Sequence, residues 1–132
     1  MKELGHFIIN TKLPSMNDVI NENRKNKFAG ANLKKSIEEA IIWFISAAKG
    51  KTLEPIKQPC EIHITWHEKT KRRDVDNIQS SQKFILDALQ KSGILIKDDR
   101  RYVKQVHHNI VNSASDYVVV HLFEWSEGGG ND

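Results

Sequence analysis

The stretch KRRDVDNIQSSQKFILDALQKSGILIKDD, residues 71–99, decides how this chain is read. A basic triplet runs into Asp74 and Asp76, an amphipathic segment follows, and a second aspartate pair, Asp98 and Asp99, closes the stretch. Ile78, Ile85, Ala88 and Leu89 recur at helical spacing, which predicts one helix over about 75–92 with Gly93 just past its end. On that helix Asp76, Ser80, Lys83 and Asp87 form the opposite, polar stripe, with Lys83 about 10 Å from Asp76 along the axis. Carboxylates supply the oxygen ligands that hard cations prefer, and Lys and Arg around them suit a polyanionic substrate. A D-x-D pair at a helix start also serves as a cap and complements the helix dipole; taken alone, that explanation is the commoner one. The second pair shifts the balance, because chain reversal after the helix would return it beside the first.

Upstream, CEIHITW (60–66) alternates, with Ile62, Ile64 and Trp66 on one face, as a half-buried strand requires. HFII (6–9) predicts a first short strand and TKLPSMN (11–17) a loop, with a helix beginning near Asn17. NENRKNKFAG (21–30) is polar and ends in glycine, the pattern of a mobile loop. From Asn32 the residues Leu33, Ile37, Ala40, Ile41, Phe44, Ile45 and Ala48 mark the core face of a helix that Gly50 is placed to stop. Downstream, 102–111 and 116–125 predict two strands joined as a hairpin through 112–115. Residues 117–123 are apolar at nearly every position, which suits a central strand better than one buried in a dimer. The expected fold is α+β: a small mixed sheet of about four strands packed with two main helices. It forms one domain over 1–126, with a disordered tail at 127–132.

With Lys+Arg 20 against Asp+Glu 17, the net charge of +3 does not by itself announce a nucleic-acid partner. The distribution is more telling. Lys71, Arg72 and Arg73 precede the first acidic pair, while Arg100, Arg101 and Lys104 follow the second. The single cysteine, Cys60, excludes an intramolecular disulfide and a multi-cysteine zinc module, and reads as an inert thiol. No run approaches the roughly 18 apolar residues of a membrane span, and the first residues lack the apolar stretch of a signal peptide. A cytoplasmic protein with no membrane partner is expected. His63 and His67 would project from one strand face about 13 Å apart, too far for one zinc ion. With the adjacent His107 and His108, they read as solvated or partner-contacting histidines. Trp43 and Trp66 fit the core pattern; Trp125 is undetermined.

Taken together, KRRDVDN, Lys83, LDAL (86–89), Gly93 and Asp98-Asp99 resemble the RusA-type Holliday junction resolvases, crossover-junction endodeoxyribonucleases common in phages and prophages. LPSMN (13–17), followed by a basic loop, is similar to the family's P-x-N segment, so the resemblance spans most of the chain. It implies a homodimer that binds four-way junctions and other branched DNA and cuts two symmetry-related strands with Mg²⁺ or Mn²⁺. By the same resemblance Asp74, Asp76 and Asp99 are the metal ligands, with Asp98 as rival to Asp99, and Lys83 is the essential lysine. Counting forward from Asp76 instead puts Ser80 at the lysine position; Lys83 is the better chemical choice. Lys71, Arg72, Arg73, Arg100, Arg101 and Lys104, together with Asn17, Arg24, Lys25 and Lys27, are the candidate DNA contacts. The competing readings are a non-catalytic basic DNA-binding module and a metal phosphohydrolase acting on other branched DNA or on nucleotides.

Overall fold

The alternating segment 60–68 becomes the strand that organises the molecule. In the computed structural model, which describes residues 2–97 and 99–126, the elements run β1 (Glu3–Ile9), α1 (Met16–Lys25), α2 (Lys27–Ala48), β2 (Cys60–Glu68), α3 (Val75–Gln79), α4 (Gln82–Lys91), β3 (Val103–Asn112) and β4 (Tyr117–Glu124). The expected tail at 127–132 lies outside the described residues, as does Asp98. The strands form one mixed sheet in the order β1-β4-β2-β3. β4 runs antiparallel to both β1 and β2, whereas β3 runs parallel to β2. This is the expected α+β architecture, with α2 and α4 as the main helices.

One sheet face is core. Phe7, Ile9, Ile62, Ile64, Trp66, Val118, Val120 and Leu122 are buried there with Ile37, Ile41 and Ile45 of α2 and Phe84, Ile85, Ala88 and Leu89 of α4. Trp66 is fully buried, and its indole N–H donates to His108 Nδ1 at 2.9 Å, so no polar atom of the ring is stranded. His108 bonds Gln82 Oε1 through its other nitrogen at 2.7 Å, and burial pulls its pKa down. Burial likewise pushes the Cys60 thiol up to about 11, which makes it the inert group expected. On the opposite sheet face the side chains are half-buried or exposed, apart from Glu61.

Four expectations need correction. The segment 21–30 is not a loop: Ser15 and Asp18 form a capping box that starts α1, and Asn26, in extended conformation, accepts from Phe28 N at 2.8 Å and starts α2 at once. Gly30 lies inside α2, where a Cβ would stand 1.7 Å from Asn23 Oδ1, so this glycine makes room for the Asn23 side chain of α1 rather than ending an element. No hairpin joins β3 to β4. The apolar β4 takes the position between β1 and β2, where both edges are paired, and the more polar β3 takes the outer edge. The segment 75–92 is two helices, for reasons given below. Trp43 is 66% exposed because it falls off the Ile37–Ile41–Ile45 stripe, and it packs edge-on against Phe44.

Candidate active site

The loop between β2 and α3 is held by one buried ion pair. Arg73 donates from Nε and Nη2 to the two carboxylate oxygens of Glu68, at 2.9 and 2.8 Å, and from Nη1 to Leu13 O at 2.9 Å. Glu68 is 6% exposed. Arg73 therefore holds the motif loop against β2 and the 13–17 segment, and is not available to grip phosphate as expected. A bidentate guanidinium–carboxylate pair fixes geometry as well as charge. Replacing Arg73 by Ala leaves Glu68 buried without a counter-charge, for which about 3–5 kcal/mol of stability should be lost. Urea unfolding measures this; a cost below about 1 kcal/mol would mean that the pair does not hold the loop.

The segment Leu13–Asn17 then docks along the motif. Ser81 Oγ donates to Pro14 O at 2.7 Å, Met16 N donates to Ser80 Oγ at 3.0 Å, and Asn17 Nδ2 donates to Asn77 Oδ1 at 3.1 Å. Ser80 Oγ also donates to Asn77 O at 2.6 Å. Serine hydroxyls spent on nearby backbone compete with the helical ladder, which explains why the helix breaks at Ser80–Ser81 into α3 and α4. The break removes the continuous stripe that was to align Asp76 with Lys83.

Asp74 occupies the N-cap position of α3 without making a side-chain cap hydrogen bond. Asp76 lies in the first turn. Both are exposed, and among the described residues neither carboxylate has a hydrogen-bond or ion-pair partner. The capping explanation therefore fails at the atom that would do the capping. Exposed Lys71 and Arg72 adjoin the pair in the chain, and the Arg73–Leu13 bond brings Lys12 to the same loop. Lys12 was not foreseen; sixty intervening residues hide that proximity. Lys83 is exposed on α4 and pairs with Asp87 at 3.2 Å.

The second acidic position lies elsewhere. Cys60 opposes Val103 in the parallel β2–β3 pair, and Val103 N donates to Asp99 O at 2.8 Å, so Asp99 sits at the Cys60 end of β2. Asp74 follows the Glu68 end. Eight strand steps separate those ends, about 26 Å. The expected convergence of Asp99 with Asp74 and Asp76 does not occur within one chain: α4 carries the chain back along the sheet, and a parallel β3 must start where β2 starts. Asp99 instead receives the Arg101 guanidinium at 2.7 Å and the Arg101 backbone N–H at 3.0 Å, contacts that hold its carboxyl below the usual range. Exposed Arg100, Arg101 and Lys104 share that end. Arg24, Lys25 and Lys27 are exposed around the α1–α2 junction, with Lys25 bonded to Glu22 at 3.1 Å.

Two partnerless carboxylates beside exposed cations make the kind of site used for phosphodiester hydrolysis, since Mg²⁺ is commonly held by one or two carboxylates with waters completing its shell. A family model described as endodeoxyribonuclease RusA matches residues 11–122, a span that includes the docked segment, the motif and most of the sheet. The chain belongs to the RusA endodeoxyribonuclease family, the junction-resolving endonucleases. Among curated proteins nothing matches. No helix among the described residues is long and apolar enough to cross a membrane.

Proposed function

We propose that this protein is a divalent-metal-dependent endodeoxyribonuclease that acts as a homodimer and resolves four-way DNA junctions by paired symmetric nicks. The observation that carries the reading is the pair of exposed carboxylates, Asp74 and Asp76, left without partners at the start of α3. Mg²⁺, or Mn²⁺ in its place, supplies when bound a Lewis acid and a water of lowered pKa. Asp74 and Asp76 hold that ion. Asp99 enters the ligand set from a second copy of the chain, because its own copy places it at the far end of β2. Lys83 adds positive charge at the scissile phosphate. Lys71, Arg72 and Lys12 hold flanking phosphates near one end of the sheet, and Arg100 and Lys104 do so near the other. A C2 dimer presents two equivalent sites to a substrate with two equivalent strands.

The test is cleavage of synthetic four-way junctions against matched linear duplex in Mg²⁺, Mn²⁺ and EDTA. Symmetric nicks that require the metal and the junction are expected. Binding unchanged by EDTA with no nicking would make the chain a DNA-binding module. Cutting without junction preference would make it a phosphohydrolase of another kind. Lys83→Ala should lower cleavage on the order of 10²-fold, as loss of one transition-state charge contact does, while junction affinity stays within about twofold. Equal losses in both would place Lys83 in binding instead.

A further inference from the structure

Strand register sets four of the six histidines in one row across the half-open sheet face: His6 opposes His121, His121 opposes His63, and His63 opposes His107. Two glutamates border the row and complete two ligand sets, Glu61–His63–His107 and Glu3–His6–His121; within each, the donor atoms lie within 4.8 Å of one another. We propose that Glu61, His63 and His107 bind a divalent transition-metal ion of the Zn²⁺ class, at a site separate from the Asp74–Asp76 site.

Glu61 is the residue that singles out this set. It is 5% exposed on a face whose other side chains are half-buried or exposed, and a carboxylate so placed needs a charged or hydrogen-bonding partner. Its Oε1 lies 2.7 Å from His63 Nε2 and 3.7 Å from His107 Nε2. A tetrahedral ion with bonds of about 2.0–2.1 Å sets neighbouring donors roughly 3.3 Å apart, so these separations bracket the required edge. Both imidazoles are held in place: His63 stacks on His107 with ring centres 4.4 Å apart and meets the Phe123 ring edge-on at 4.7 Å. Gln105 Oε1 stands 2.9 Å from His107 Nε2, a neutral oxygen against one of the ligand atoms. Two imidazoles and one carboxylate form a donor set for Zn²⁺ and its neighbours in the first transition row, whereas Mg²⁺ prefers oxygen alone. β2 is paired on both sides, so two of the ligands project from a rigid strand. The Glu3 set starts on edge strand β1, with its carboxylate 38% exposed, and is the less preorganised of the two.

Metal-stripped protein titrated with Co²⁺ and Zn²⁺ tests the assignment, with the visible absorption of tetrahedral Co²⁺ and calorimetry as readouts independent of nuclease activity. One tight site per chain is expected, together with a melting temperature that rises with Zn²⁺ concentration. Glu61→Gln and His107→Ala should each weaken that site on the order of a hundredfold or more, since even outer contacts to metal ligands cost 10–100-fold. His107 is exposed, so its variant should fold and melt as wild type without metal. Asp76→Asn should bind Zn²⁺ unchanged, which separates this site from the nuclease site. Undiminished binding by His107→Ala, or binding lost through His121→Ala instead, overturns the assignment.

Discussion

Asp76→Asn should abolish junction cleavage and leave the folded protein and its grip on the junction intact. The substitution is isosteric and removes one negative charge. Because the Asp76 carboxylate has no partner among the described residues, stability should stay within about 0.5 kcal/mol of wild type, the usual range for surface changes. Junction binding should hold or tighten, since a carboxylate beside Lys71 and Arg72 repels the phosphates those side chains attract. Cleavage in Mg²⁺ should fall on the order of 10²–10³-fold or further, because an amide oxygen is a poor substitute for a charged metal ligand. Gel-shift affinity, urea unfolding and single-turnover cleavage on the same preparation separate the three quantities. Normal cutting by Asp76→Asn removes the residue from the site. A folding defect would show that its carboxylate has a structural role that the fold does not reveal.

What could be read from the chain, and what could not, divides along the range of the interactions. The β2 alternation, the Ile37–Ile41–Ile45 stripe and the apolarity of β4 are written in neighbouring residues, and each predicted its element; the apolarity of β4 also predicted a central position, but not its neighbours. The helix break at Ser80–Ser81 draws on a local bond, Ser80 Oγ to Asn77 O, and on bonds to Met16 and Pro14, more than sixty residues earlier, of which neighbouring residues carry no trace. Arg73 looked like the other cations of its run until the fold placed Glu68 and Leu13 O against it. On its own strand His63 lies too far from His67 to share an ion; its real neighbour, His107, comes from the parallel strand beside it. The order of strands is likewise invisible in a hydropathy pattern, and that order sends Asp99 away from Asp74. The motif was legible as a set of residue types, but not as a place.

Mixing Asp76→Asn with Asp99→Asn, each expected to be inactive alone, should restore cleavage. The expectation follows from the placement of Asp99 at the Cys60 end of β2, a strand of about 26 Å, while Asp74 and Asp76 follow its Glu68 end, together with the proposal that Asp76 and Asp99 serve one ion. If the site is assembled across a C2 dimer, the mixed dimer contains one site with both lesions and one with neither. With random exchange about half of the dimers are mixed, so about a quarter of the wild-type complement of sites should reappear, each cutting one strand only. The doubly substituted chain gives the opposite pattern: mixed with wild type, it contributes a lesion to both sites of the dimer and suppresses the wild-type activity. A site contained in one chain predicts the reverse of both results, with no rescue in the first mixture and surviving wild-type sites in the second. Sedimentation of each mixture establishes that dimers form and exchange, so that absent rescue is not mistaken for absent mixing. Failure of rescue between exchanging dimers would leave Asp74 and Asp76 as the metal ligands and return Asp99 to its pairing with Arg101, as an anchor for the turn into β3.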